Sequence, residues 1–267
     1  MSGAIRCAGN PEGPMRNACL NRCFAEPARW AESGTLELDP EESRHLARVL
    51  HARPGDAVEV FDGLGRHAEG RVLSLGRAVR LQLETPIIDA EEIHQIRLQI
   101  GMPREAKLDW LLQKSTELGV TALTLFAADR SVVRLDAHSV ATRMDRWTRI
   151  VKDAAKQSGR TRLPLLSWAP GLPPLLRDPP DGLECRMVCS LEAAPGSMPR
   201  IFEEGLARNC RIWTFFIGPE GDFSPAELEV LRRERVGEIS LGPRVLRVET
   251  AGIYALSALL YALEKSG

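Results

Sequence analysis

The spacing of hydrophobic positions changes once along the chain. From residue 20 to residue 86, apolar residues fall in short runs cut by glycine-rich turns. Glu41–Leu50 predicts a helix there. Arg53-Pro-Gly-Asp56 then turns the chain into Ala57-Val-Glu-Val-Phe61. Asp62-Gly-Leu-Gly65 turns it again, and Arg71–Leu75 and Ala78–Leu83 alternate with the strand period of two. Short strands joined by such turns predict a small β-barrel. Ile87–Gln95 reads as a short acidic connector. Over residues 96–267 strand-like and helix-like patterns take turns. Arg97–Gly101, Val120–Phe126, Arg186–Leu191, Arg211–Ile217 and Glu238–Leu241 predict strands. Lys107–Leu118, Ser139–Ser158, Pro225–Arg235 and Glu249–Glu264 predict helices, the first ended by Gly119 at its C′ position. That alternation is the signature of a mostly parallel α/β sheet. Residues 1–19 are spotted with glycine and proline and lack an apolar stretch, which predicts a disordered leader rather than a secretory signal.

Two strand ends in the second unit look alike. Trp213–Ile217 runs into Gly218-Pro-Glu-Gly221, and Ile239–Leu241 runs into Gly242-Pro-Arg244. In an open α/β sheet ligands bind beyond the carboxyl ends of strands. An exit on Gly-Pro makes a rigid loop. Ser224-Pro-Ala-Glu227 reads as a capping box with proline at the first helical position, which fixes the helix start behind the first loop. The second loop carries Arg244, Arg247 and Glu249 just before the last helix. That helix is apolar nearly all round, with Ala251, Gly252, Ala255, Ala258 and Ala262 small, so it must be buried in a core or against a second copy.

The net charge of −1 predicts no bulk attraction to nucleic acid or anionic lipid. Its distribution is uneven. Arg97–Arg162 holds 13 basic and 7 acidic residues, whereas Leu20–Glu84 holds 9 and 11. Arg143, Arg146, Arg149, Lys152 and Lys156 recur at helical spacing, as a solvated face or an RNA-facing one. No apolar run reaches the length of a membrane span. Cys19/Cys23 and Cys185/Cys189 have the spacing of a conceivable zinc site, but Cys185–Leu191 reads as a buried strand, so no metal is expected. No phosphate-cradling glycine motif, Gly-x-Ser-x-Gly turn or His-Glu-x-x-His is present. Phosphate-cradled nucleotide chemistry, serine hydrolysis and zinc hydrolysis are thus unsupported. A ligand carrying adenosine without phosphates remains open.

Phe216-Ile-Gly-Pro-Glu-Gly221 with Phe223-Ser224, followed by Leu241-Gly-Pro-Arg-Val-Leu-Arg247 and Glu249-Thr-Ala251, resembles the RsmE family of SPOUT-class methyltransferases acting on 16S ribosomal RNA. Gln113–Gly119, Arg130-Ser-Val-Val133 and Ala154–Arg160 match as well, as do Arg22-x-Phe24, His45–Leu50 and Phe61-Asp-Gly63 in the first unit. Asp222 departs from the pattern, standing where the family usually has a third glycine, and Val248 where it usually has threonine.

The resemblance implies a PUA-like barrel over residues 20–86 and a SPOUT α/β domain over 96–267 with a C-terminal trefoil knot. It implies a homodimer that uses S-adenosyl-L-methionine to methylate N3 of a uridine in the small ribosomal subunit; the cytoplasm is expected separately, because no export signal is read and reduced thiols are then the default. Another RNA target or atom, or an RNA-binding assembly factor that has lost catalysis, are the other readings. By the same resemblance Leu191, Gly218, Glu220, Gly221, Leu241, Gly242, Val245 and Leu246 would bind the donor. Arg247 and Glu249 would be catalytic, with Glu249 as base, as a partner orienting Arg247, or as a cap of the last helix. Arg22, Arg48, Arg130, Arg134, Gln157 and Arg160 would face RNA. Asp222 would add a carboxylate near the donor, to repel RNA phosphate or to touch the donor.

Overall fold

The computed structural model describes residues 21–31, 34–177 and 183–266. The expected leader and Cys19 lie outside them. The chain divides into two compact units.

The first unit contains β1 (Asn21–Phe24), β2 (Thr35–Glu37), α1 (Pro40–Arg44), β3 (Ala57–Phe61), β4 (Arg66–Ser74) from Ala68 on, and β5 (Arg80–Leu83). The strands are ordered β1-β3-β4-β5-β2, with β1 and β3 parallel and β5 antiparallel to both β4 and β2. The helix expected over Glu41–Leu50 starts one residue earlier, because Asp39 caps it by accepting the Glu41 and Glu42 amides at 2.8 Å and Pro40 has no amide to satisfy. It widens into a π turn over His45–Val49. Leu36, Leu38, Leu46, Val58, Val60, Val72 and Leu81 pack inside. Arg22 lies in this unit paired with Glu59 at 2.7 Å, 4.7 Å from the centre of the Phe61 ring, with about a tenth of its side chain exposed.

The second unit takes Asp62–His67 and everything from Ile87 on, so the turn assigned by sequence to the barrel belongs here. Within the unit, the Gly65 amide donates to Thr161 O, the Leu163 amide donates to Gly63 O, and His67 meets Asp89 at 3.2 Å. Its strands are β6 (Ile87–Ile88), β7 (Gln95–Gly101), β8 (Ala122–Phe126), β9 (Leu165–Ala169), β10 (Glu184–Cys189), β11 (Ile212–Ile217) and β12 (Gly237–Ile239). Its helices are α2 (Glu105–Glu117), α3 (Ala137–Ser158), α4 (Ser197–Ala207), α5 (Pro225–Arg233) and α6 (Val248–Ser266). Apart from β6, which pairs with the start of β4, the strands form one sheet in the order β12-β10-β11-β7-β8-β9 with parallel pairings throughout.

Period-two alternation sends Ile96, Leu98, Ile100, Trp213, Phe215 and Ile217 to one face, where α2, α3, α4 and α6 cover them. Phe126, Val188 and Phe216 on the other face pack under Leu172, Leu176 and α5. The basic row expected on α3 is partly neutralised by α2: Arg143 pairs with Glu105, and Arg146 with Asp109.

Candidate active site

β10, β11 and β12 are neighbours in the sheet, so their carboxyl ends open side by side. A cleft of about 350 Å³ lies there. One wall is the exit of β11, with Gly218, Pro219, Glu220 and Asp222. The facing wall is the exit of β12, with Leu241, Gly242, Arg244, Val245, Leu246 and Arg247. Cys189 and Leu191 close the end of β10, and Lys107 of α2 completes the rim.

The β11 exit is held from several directions. Asp222 N–H donates to Pro219 O at 2.9 Å, closing a turn that places Asp222 at φ +60°. That is the left-handed region, which glycine enters freely and aspartate more readily than most residues. Asp222 Oδ1 accepts the Phe223 amide at 2.8 Å. A Cβ on Gly218 would come within 3.0 Å of that carboxylate and 3.1 Å of Phe223 N, so a larger residue would crowd the start of the loop. Behind it, the Ser224–Glu227 capping box is complete, with bonds of 2.8 and 3.1 Å. Ser224 Oγ also donates to Asp129 at 2.6 Å, and Glu227 accepts the Asp129 amide at 3.0 Å.

Glu220 ties the same loop to α2. Its Oε1 accepts the amide of Arg104, the N-cap residue, at 3.1 Å, and it meets Lys107 Nζ at 3.1 Å. Burial pushes this carboxyl upward, yet the Arg104 amide and the Lys107 ammonium together hold it below its ordinary value. Cys189 faces the opposite condition. Burial, and then the nearby Asp222 charge, push its thiol up to about 12, so the cleft wall there is a neutral S–H and not a nucleophile. Burial first, and then Cys210, push Cys185 up to about 11. Among the described residues, no group of three His, Cys, Asp or Glu side chains could hold a metal ion, and no helix is long and apolar enough to cross a membrane.

Eight residues singled out in the sequence therefore meet in one cleft: Leu191, Gly218, Glu220, Leu241, Gly242, Val245, Leu246 and Arg247. Gly221 does not line it. Gly221 turns toward Arg130, whose guanidinium donates to Gly221 O at 3.2 Å and Phe223 O at 3.3 Å. Glu249 does not line it either. It sits in the first turn of α6 with Oε2 buried and unpartnered.

Of the expected RNA contacts, Arg48, Arg130, Arg134 and Gln157 are exposed, although Arg130 and Arg134 also grip loop carbonyls. Arg22 and Arg160 are not free surface groups. Arg160 donates to Thr116 O and Val120 O at 3.0 and 2.8 Å, where a cation suits the carbonyls ending α2, and pairs with Glu92. Lys107, Cys189 and Arg244 are cleft residues without an assigned role in the sequence reading. Arg244 stood in the second loop, but Lys107 gave no local signal because its partner is more than a hundred positions away.

A parallel α/β unit with this cleft, accompanied by a smaller unit built on a mixed β-sheet, is the architecture of an RNA methyltransferase. Residues 90–260 match the family described as RNA methyltransferase domain, and residues 38–82 match the RNA methyltransferase PUA domain. Ribosomal RNA small subunit methyltransferase E of Bacillus subtilis is 32% identical over 251 residues, covering 92% of this chain and 98% of that protein. The protein of the same name from Mycobacterium tuberculosis is 28% identical over 83% of this chain and 84% of its own length. The Neisseria gonorrhoeae ribosomal RNA small subunit methyltransferase E, crystallised with S-adenosyl methionine, superposes with a TM-score of 0.78 at 28% identity, covering 90% of this chain and 97% of that one. A putative methyltransferase of Legionella pneumophila, solved with bound SAM, superposes equally well at 26% identity, covering 91% and 98%. The chain belongs to the ribosomal RNA small subunit methyltransferase E family.

Proposed function

We propose that this protein transfers a methyl group from S-adenosylmethionine to N3 of a uridine in the 16S RNA of the small ribosomal subunit. The observation that carries the reading is the convergence of the two Gly-Pro exits on one cleft, in a chain of this family. The residues fit the donor. Gly242 adopts φ +103° with nothing within 4 Å of where a Cβ would stand, which leaves its backbone open to a ligand. Leu191, Leu241, Val245 and Leu246 offer apolar surface for adenosine, and backbone groups of Gly218, Glu220 and Gly242 offer hydrogen bonds.

When bound, the donor supplies an activated sulfonium methyl. The protein's work is then alignment and charge control. Arg247, exposed on the β12 wall, faces the uracil carbonyl and stabilises the anion left when N3 loses its proton. Glu249 acts as a positioning residue at the start of α6, where a carboxylate complements the helix dipole, and not as the base; its place outside the cleft supports this. The target base must leave its pairing, at a cost of about a few kcal/mol. Arg48, Arg130, Arg134 and Gln157 hold RNA phosphate and sugar, which position without naming sequence, so specificity comes from the shape of the target.

Three finer features belong to the same proposal. The segment through the β12 exit and α6 closes a trefoil knot; a crystal structure whose backbone reduces to an unknotted line would remove it. The protein works in the cytoplasm, beside its substrate. It forms a homodimer, supported by the outward faces of α2 and α6, which pack together and expose Trp110 by 43%, Tyr254 by 47% and Tyr261 by 63%. Those are both tyrosines of the chain. Aromatic residues are enriched in interface cores. Light scattering is expected to give twice the chain mass for the parent and the single-chain mass for Tyr254→Glu; a monomeric parent overturns the dimer.

Two measurements test the activity. S-adenosylmethionine at 100 times its Kd is expected to stabilise the fold by about 2.7 kcal/mol through mass action, which a factor without a donor site would not show. Mass spectrometry of nucleosides from treated small-subunit RNA is expected to find N3-methyluridine. A 2′-O-methyl product would move the chemistry to ribose.

A further inference from the structure

The charges lining the cleft do not cancel evenly. Lys107 and Glu220 pair with each other at 3.1 Å. Arg244 and Arg247 are exposed on the β12 wall. Asp222 lies on the β11 wall, and no basic side chain among the described residues comes within ion-pair distance of it. Its carboxylate is also fixed. The backbone turn from Pro219 sets its left-handed conformation, and the Phe223 amide holds Oδ1 at 2.8 Å. The close approach of Oδ1 to the Cβ position of Gly218 puts it over the start of the β11 exit. Cys189 on the neighbouring wall, with its thiol protonated, adds no charge of either sign.

A fixed anion without a protein countercharge, set in the lining of a binding cleft, is complemented by a cationic ligand. We propose that Asp222 reads the sulfonium charge of the methyl donor and so separates donor from product. The inference rests on the donor site proposed above. In the transfer, the bond from sulfur to the methyl carbon breaks as the bond from uridine N3 to that carbon forms. The electron pair of the broken bond returns to sulfur, and the N3 proton passes to solvent. Sulfur is cationic before the step and a neutral thioether after it. A carboxylate beside it favours the first state and loses its attraction in the second, so product release is eased. The same contact stabilises the donor at least as much as the transition state, in which the sulfur charge is already falling. It therefore governs the choice between donor and product and does not accelerate the step.

Calorimetric titration of the full chain with S-adenosylmethionine and with S-adenosylhomocysteine tests this. Asp222→Asn keeps the oxygen that accepts the Phe223 amide and tolerates the left-handed backbone, and Asp222→Gly is the second variant. Both are expected to lose about fivefold to tenfold in affinity for the sulfonium ligand while the thioether changes less than twofold, the scale of one charge contact in a partly solvated cleft. Raised salt should shrink the difference in the parent and leave it unchanged in the variants. Equal losses for both ligands, or no loss for either in folded variants, overturn the proposal. A parent that binds neither ligand overturns the donor site itself.

Discussion

Arg247→Ala is expected to lower the single-turnover methylation rate by about a hundredfold to a thousandfold, the range for removing one preorganised donor to a developing anion. Its backbone is already committed to the fold: Arg247 O accepts the Ala251 amide at 2.8 Å, beginning α6. The side chain is exposed on the cleft wall, and among the described residues no carboxylate pairs with it. The guanidinium is thus anchored at its base and available at its tip. Because its work is on the RNA base, affinity for S-adenosylmethionine should stay within about twofold of the parent, and melting should be unchanged. Lysine should recover only part of the rate, since a compact ammonium lacks the planar fork that can meet a carbonyl from two nitrogens. Single-turnover assays with saturating donor and RNA measure this directly. A parental rate in the alanine variant would show that the uracil anion is stabilised elsewhere.

What the sequence made legible was local. The two Gly-Pro exits, the Ser224–Glu227 cap and the strand ahead of each loop depend on residues a few positions apart, and the structure has all of them. β9 was missed because Leu165–Ala169 is an edge strand with partly exposed residues and no clean alternation. α4 was missed because Pro199 interrupts its start, although a proline in a first turn forfeits only an amide that has no helical partner. The cationic residues misled for a related reason. Arg22 and Arg160 matched RNA-facing positions, but their partners Glu59, Glu92 and the carbonyls ending α2 lie 37 to 68 positions away, and nothing in their spacing announces them. Asp222 is different again. Its identity was visible as a departure from the family pattern, while its left-handed backbone and lack of an ion-pair partner needed three dimensions.

Gly101→Val is expected to damage the cleft from a position outside it. Gly101 is the last residue of β7, facing Phe126 of β8 in register. A Cβ there would stand 2.8 Å from Pro219 Cδ, 3.0 Å from Pro219 N and 3.1 Å from the Ala128 Cβ. Neither neighbour can rotate away: one is a proline ring, the other a methyl group on a loop that also holds Ser224 and Glu227 through Asp129. Pro219 must therefore move, and Asp222 and Glu220 move with it, since Pro219 O closes the turn and Glu220 is tied to α2. Overpacking of this kind costs about 1–3 kcal/mol. In a chain of this size that lowers the melting temperature by roughly 2–4 °C per kcal/mol. The larger loss should be in binding, because a cleft built from backbone positions tolerates little displacement: donor affinity is expected to fall by at least about tenfold. Gly101→Ala should show the same two effects at smaller size, because it adds one methyl group without the second branch. Differential scanning calorimetry and donor titration on the same samples separate the two effects. A valine variant that melts and binds like the parent would mean that the β11 exit is free to shift, and that its rigidity contributes nothing to holding the donor.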